Sequence, residues 1–229
     1  MELLKKIHRH IQRIVLLFFA STILLVLLYR WCPVYVTPLM LIRCVEQVSR
    51  GEEVRLKHHW VPLDSISDYM PIAVMAGEDQ RFMDHHGFDF VEIKKAWDEY
   101  KSGRRKRGAS TISQQTAKNV FLWNGGGWFR KGLEAYYTIL IEVIWGKEHI
   151  MEVYLNSIEM GDGIYGAEAV SQLHFGRPSK ELTRANCALI AATLPQPLLY
   201  SSKEPSAYML KRQTHIMRQM RYVSAISKK

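Results

Sequence analysis

GASTISQQTAKN, residues 108–119, joins a loop to a helix in a way that decides what kind of domain this is. A glycine and small hydroxyl-bearing residues lead into a run of helix formers. The first turn of such a helix carries unpaired backbone N–H groups, which attract anions. Gln114 and Lys118 are four apart and share one helix face, with Ser110 just before the helix and Asn119 just after Lys118. An ordinary capped helix with surface amides fits the same string. Taken alone, this stretch favours neither reading.

Three further stretches flank it. Upstream, EDQRFMDHHG at 78–87 follows the apolar residues 71–76. Glu78 is therefore expected where a buried helix meets a polar turn, and a partly buried carboxylate acquires a raised pKa suited to a general base. A solvated charge cluster at a helix end is the competing reading, and in isolation it is the better one. Downstream, Arg130 and Glu134 stand at i and i+4, with Lys131 beside them. Their plain reading is a surface ion pair worth a few tenths of a kcal/mol. The last stretch, KEHIMEVYLN at 147–156, has the apolar spacing of a packed helix, so Glu152 and Asn156 read as structural.

The chain has 229 residues, enough for one domain and an anchor. Lys and Arg number 31 against 22 Asp and Glu, a net charge of +9 that favours an anionic partner: nucleic acid, anionic lipid or a phosphate-bearing substrate. Ile14 to Tyr29 is an uncharged, nearly all-apolar run between Arg13 and Arg30. A bilayer needs about 17 to 25 helical residues, and the flanking arginines can snorkel to extend the span. The basic residues before it favour a cytoplasmic N-terminus. Residues 1–13 thus read as a cytoplasmic basic segment, 14–31 as a transmembrane helix and 32–229 as a domain outside the cytoplasm. A cleaved signal peptide would have a shorter apolar core, about 7 to 15 residues, and a small-residue cleavage site. Here the run ends in Tyr29-Arg30-Trp31-Cys32-Pro33. That topology excludes nucleic acid, because the basic residues would face the wrong compartment. Cys32, Cys44 and Cys187 are not spaced like a metal site, and Cys32 with Cys44 is one bridge the sequence allows.

The rest of the chain reads as mainly α. Thr37 caps a helix that Pro38 opens and Gly51 stops. Asp89 and Glu92 open another that ends near Gly103, followed by five basic residues within 101–107. Residues 128–145 carry Leu133, Tyr136, Tyr137, Leu140, Ile141 and Ile144 on one face. Further helices are expected at 147–157, 167–175, 184–194 and 206–224. Alternating strand patterns are scarce.

In this order and spacing, the four stretches resemble the glycosyltransferase domain of class A penicillin-binding proteins. They are most similar to its stand-alone relatives, the monofunctional biosynthetic peptidoglycan transglycosylases. The resemblance runs from about Pro62 to Ser202 and includes Gly161-Asp162-Gly163-Ile164-Tyr165-Gly166 and Leu194-Pro195-Gln196-Pro197. Met151 replaces the usual Leu, and Asn186-Cys187 stands where relatives carry Glu-Ala. No S-x-x-K or K-T-G occurs, so penicillin-type cross-linking is not expected.

The resemblance implies a lysozyme-like helical domain with a small membrane-facing lobe, tethered to a bacterial inner membrane, its catalytic part periplasmic. It implies polymerisation of lipid II onto a growing lipid-linked glycan strand. Glu78 would be the base, and Glu134 the second catalytic carboxylate, orienting Arg130 and Lys131 or positioning Mg²⁺ or Mn²⁺ on the diphosphate. Ser110, Gln114, Lys118, Asn119, Arg130 and Lys131 would hold that diphosphate. Both carboxylates are expected in one cleft. No organic cofactor is implied, and the sequence does not say which cell-division or elongation proteins the chain works with. A lysozyme-like hydrolase and an inactive cell-wall scaffold are the competing functions.

Overall fold

The computed structural model describes residues 1–103, 108–224 and 226, in two units, Met1–Pro33 and Val34–Lys229. Most of the basic loop read from the sequence, residues 104–107, lies outside the described residues. The first unit is one helix, α1 (Glu2–Leu28), ending in a turn at Tyr29. It starts inside the basic stretch rather than at Ile14, so Lys5, Lys6, Arg9 and Arg13 share the helix with the apolar run. Its 27 residues reach about 40 Å at 1.5 Å each, more than a hydrocarbon core of about 30 Å. Among the described residues it is the one helix long and apolar enough to cross a membrane. Thr22 and Ser21 donate their hydroxyls to Phe18 O at 2.8 and 3.0 Å, so both mid-run hydroxyls are satisfied within the helix.

The second unit contains α2 (Pro38–Ser49), β1 (Lys57–His58), α3 (Tyr69–Glu78), α4 (Phe90–Lys101), α5 (Ile112–Phe121) and α6 (Trp128–Ile144). It continues with α7 (Lys147–Ser157), β2 (Glu159–Gly161), β3 (Ile164–Tyr165), α8 (Ala167–Phe175), α9 (Arg184–Thr193) and α10 (Ala207–Gln219). Hydroxyl and carboxylate caps begin many of these helices. Thr37, Asp89, Thr111, Thr183 and Ser206 each accept from the first-turn backbone, as such residues do when they precede helical runs. The last helix stops at Gln219, short of Ser224, where Arg184 donates to Met217 O at 2.6 Å and satisfies a terminal carbonyl.

The three strands form a sheet in the order β1-β3-β2, parallel between β1 and β3 and antiparallel between β2 and β3. Asp162-Gly163 turns the hairpin. Gly163 has φ +68, and a Cβ there would lie 2.2 Å from Arg55 O; Gly166 has φ +83 and would meet Asn156 O at 2.5 Å. Only glycine tolerates both the conformation and the closeness. Asn156 in turn brackets Val61, accepting from its N–H and donating to its carbonyl at 2.9 Å each, while Glu152 accepts from Leu63 N. Both residues are structural, as their spacing suggests.

The core centres on α9, whose Cys187, Ala188, Ile190, Ala191 and Ala192 are fully buried. Small side chains there let α3 and α10 close in from either side. α3 is apolar all round and buries Met70, Ala73, Val74 and Met75. α5 packs against α2, α6 and α7. On α6 the buried line is Glu134, Tyr137, Thr138 and Ile141, with Tyr137 stacked on Phe121 at 4.4 Å. Leu133, Tyr136, Leu140 and Ile144 of the expected apolar face are only half-buried. This offset carries Glu134 inward, so its pairing with Arg130 is not the surface contact its spacing suggests. All three cysteines are free thiols.

Candidate active site

The end of α3 and the start of α5 are buckled together. Asp79, which follows Glu78, is buried; its carboxylate takes His85 Nε2 at 3.0 Å and accepts from Ile112 N at 3.0 Å. It thereby satisfies a first-turn N–H of α5 with a charge of the right sign. Thr111 caps the same helix and donates its hydroxyl to Gly87 O at 2.6 Å. Gly87 has φ +89, and a Cβ there would press on Thr138 at 2.7 Å. Fully buried Phe82 lies under the Lys147 ammonium, 4.4 Å from the ring centroid. The Asp, Phe, His and Gly of the 78–87 stretch are thus scaffolding for the glutamate.

Glu78 itself faces a cleft of about 300 Å³ lined by Arg81, Asp89, Lys95, Ser110 and Thr111. Its side chain is 13% exposed. Gln115 donates to one carboxylate oxygen at 3.0 Å, and Arg212 approaches the other at 3.4 Å. Burial raises the Glu78 pKa above the usual glutamate value; Gln115 and Arg212 oppose it, and Asp79 adds to it. The result is a carboxylate with appreciable proton affinity, held by two donors and open to a cleft.

A second cleft, about 390 Å³, lies along the same helix, lined by Gln115, Lys118, Asn119, Arg43, Glu159 and apolar residues of the 194–199 segment. No hydrogen bond or ion pair holds the Lys118 amine among the described residues. Burial lowers its pKa; Glu134 and Glu159 raise it, while Arg130 and Lys131 lower it. Lys118 therefore shares an electrostatic neighbourhood with the start of α6. There Arg130 donates to Glu134 at 2.8 Å and to Gly125 O at 2.7 Å, and Lys131 donates to the other Glu134 oxygen. Glu134 is 3% exposed. Arg43 is matched by Glu159, and Glu134 alone faces Lys118, Arg130 and Lys131, which leaves a positive surplus with Lys118 unbonded.

Several expectations need correcting. Gln114 does not face either cleft: its side chain bonds Thr111 N at 3.0 Å and completes a capping box. Gln115 is the glutamine at the site. Thr-x-x-Gln is the capping-box signature, so the sequence held the signal for this assignment. Glu78 and Lys118 line neighbouring parts of the site, joined by Gln115, and buried Glu134 lies behind them, acting on Lys118 through its charge. Ser110 lines the Glu78 cleft rather than the one holding Lys118 and Asn119. Asn119 is further tied to Gln115 O at 2.7 Å. Arg43, Tyr154 and Arg212 were not anticipated; Arg212 lies 134 positions from Glu78, and no local pattern connects them.

The residues do not fit a protein-held metal at Glu134, because both its oxygens are occupied by Arg130 and Lys131. Asp79, His85 and Asp89 offer ligand atoms within 4.8 Å of one another. Asp79 is engaged by His85 and Ile112, and Asp89 by Val91 N, Glu92 N and Arg81. Most of the cluster's ligand atoms are thus engaged, although His85 Nδ1 and Asp89 Oδ2 are buried without a hydrogen bond.

A family model described as Transglycosylase matches residues 45–221. A biosynthetic peptidoglycan transglycosylase of Bacteroides thetaiotaomicron is 58% identical over 220 residues, 96% of this chain and 89% of that relative. One from Bdellovibrio bacteriovorus is 53% identical, covering 92% of this chain and 84% of its own. One from Caulobacter vibrioides is 53% identical over 193 residues, 84% of this chain and 82% of its own.

Proposed function

This chain belongs to the transglycosylase family and is a peptidoglycan glycosyltransferase, and on that premise we propose how its two clefts divide the transfer. The acceptor is lipid II, and the donor is a growing glycan strand on a polyprenyl diphosphate. Glu78 takes the proton from the acceptor GlcNAc 4-hydroxyl as that oxygen attacks C1 of the donor MurNAc. The C1–O bond to the diphosphate breaks, the anomeric centre inverts from α to β, and polyprenyl diphosphate leaves. General-base help of this kind is worth roughly 100- to 10,000-fold.

The leaving group gathers negative charge, and fixed cations in a partly dry cleft stabilise it. Lys118 is the principal partner, with Arg130 and Lys131 held in place by Glu134. Glu134 acts here as an orienting group. A divalent ion would be held through the diphosphate oxygens and would supply further charge neutralisation to the leaving group. The apolar 194–199 segment suits a lipid tail emerging beside a charged head.

The observation that carries this reading is that α5 joins the two groups: its Gln115 bonds the Glu78 carboxylate, and three residues on, the half-buried Lys118 ammonium has no bonded partner among the described residues. Hydrolysis would leave the cation group without a task, and a scaffold would need neither. We place α1 across the bacterial inner membrane with its basic start in the cytoplasm and the enzyme outside. The exposed Leu41, Val45 and Val48 of α2 then suit the membrane surface. The test is purified protein with labelled lipid II: Glu78→Gln should abolish polymer while remaining folded. Full strand synthesis by that variant would refute the base assignment.

A further inference from the structure

A general base needs a fixed aim as well as a suitable proton affinity. Glu78 obtains it from three elements other than its own. Gln115 of α5 donates to one oxygen and Arg212 of α10 approaches the other. The third contribution is indirect. Tyr154 of α7 donates its hydroxyl to Gln115 Oε1 at 3.0 Å. Tyr154 is fully buried, and burial holds its phenol protonated, so it is always able to donate.

An ionised carboxylate only accepts hydrogen bonds, whereas a glutamine amide offers a donor on one side and an acceptor on the other. The Gln115 amide must therefore present its nitrogen to Glu78 and its oxygen away. By donating to that oxygen Tyr154 adds to this orientation; in a flipped amide the Tyr154 hydroxyl would have to turn and accept, and the amide oxygen would face the carboxylate. A flipped Gln115 is compatible with Glu78 only when Glu78 carries a proton. Tyr154 has no place in the two clefts and no other task in the reaction.

We propose that Tyr154 is a positioning residue for the transfer: acting through Gln115, it keeps an amide donor on Glu78 and so keeps that carboxylate aimed and free to receive the acceptor's proton. The proposal rests on Glu78 being the base. The charged groups around Glu78 are Asp79 at the end of α3, Arg212 on α10, and Arg81, Asp89, Glu92 and Lys95 around its cleft. None of them touches the far side of the Gln115 amide in the contacts described, so losing the Tyr154 hydroxyl leaves their order intact.

The test is Tyr154→Phe, which keeps the ring and removes the hydroxyl, with lipid II polymerisation measured across pH and the melting temperature recorded. The acid limb should move to higher pH, with a loss on the order of tenfold on that limb that closes at alkaline pH. A uniform loss at all pH values, or an unmoved limb, would overturn the proposal and mark Tyr154 as packing. Gln115→Leu should move the limb the same way, and the double variant should move it no further. An additive double shift would show Tyr154 acting elsewhere. Should Tyr154→Phe fold poorly, an unmoved limb in Gln115→Leu overturns the proposal by itself. Glu78→Gln, assayed alongside, separates the two ideas: its inactivity with an unmoved Tyr154→Phe limb refutes the positioning role alone, and its activity refutes the base.

Discussion

The general base proposed here, Glu78, must be partly desolvated yet stay ionised at rest, and these demands conflict. Burial favours its neutral form; Gln115 and Arg212 favour the charged one. The folded state therefore binds this proton more tightly than the unfolded chain does. Stability contributed here is lost as pH rises from the ordinary glutamate range through the folded value. Glu78→Gln should accordingly melt about 2–4 °C higher than the parent at pH 8, with the gap closing in acid. A variant that melts lower at pH 8 would contradict this. Polymerisation should rise with pH along a limb centred above the usual glutamate value, and a limb at or below it would assign the base elsewhere. Lys118→Ala should cost about 100-fold in turnover with the fold intact, measured on lipid II in detergent.

Helix starts organise the site at the scale of elements. α5 is held by Thr111, Gln114 and Asp79 together, and it carries Gln115 and Lys118 toward the two clefts. Thr111→Ala removes the cap and the bond to Gly87, and should cost about 1–2 kcal/mol in denaturant unfolding. Gly166→Ala, forced against Asn156 O at positive φ, should cost about 2–4 kcal/mol in the same measurement. Helix positions were legible because caps and apolar periods are local; α7 and α8 run as their sequences suggest. The strands were not, since two or three residues are too few for an alternation to show. The spacing of Gln114 and Lys118 puts both on one helix face, but the Thr111–Gln114 capping box turns the Gln114 side chain back onto its own helix start. Arg212 and Tyr154 reach the site from distant helices, so only the packing of α3, α5, α7 and α10 reveals them.

For the molecule as a whole, a basic, membrane-compatible helix precedes a helical enzyme whose substrates are lipids. α1 was legible from composition alone, although its helix begins well before the apolar run. On the proposed placement across the membrane, its value is to hold the enzyme where substrate is concentrated. Removing residues 1–33 should slow polymerisation of lipid II in vesicles by roughly tenfold or more while leaving the rate in detergent nearly unchanged. Equal losses in both would assign the helix a structural task. The central claim is sugar transfer with departure of a lipid diphosphate, and the most direct measurement counts bonds. Labelled lipid II should yield one polyprenyl diphosphate for each lysozyme-sensitive β-linkage formed, without new reducing ends. Reducing ends appearing without release of diphosphate would show a hydrolase and contradict the account.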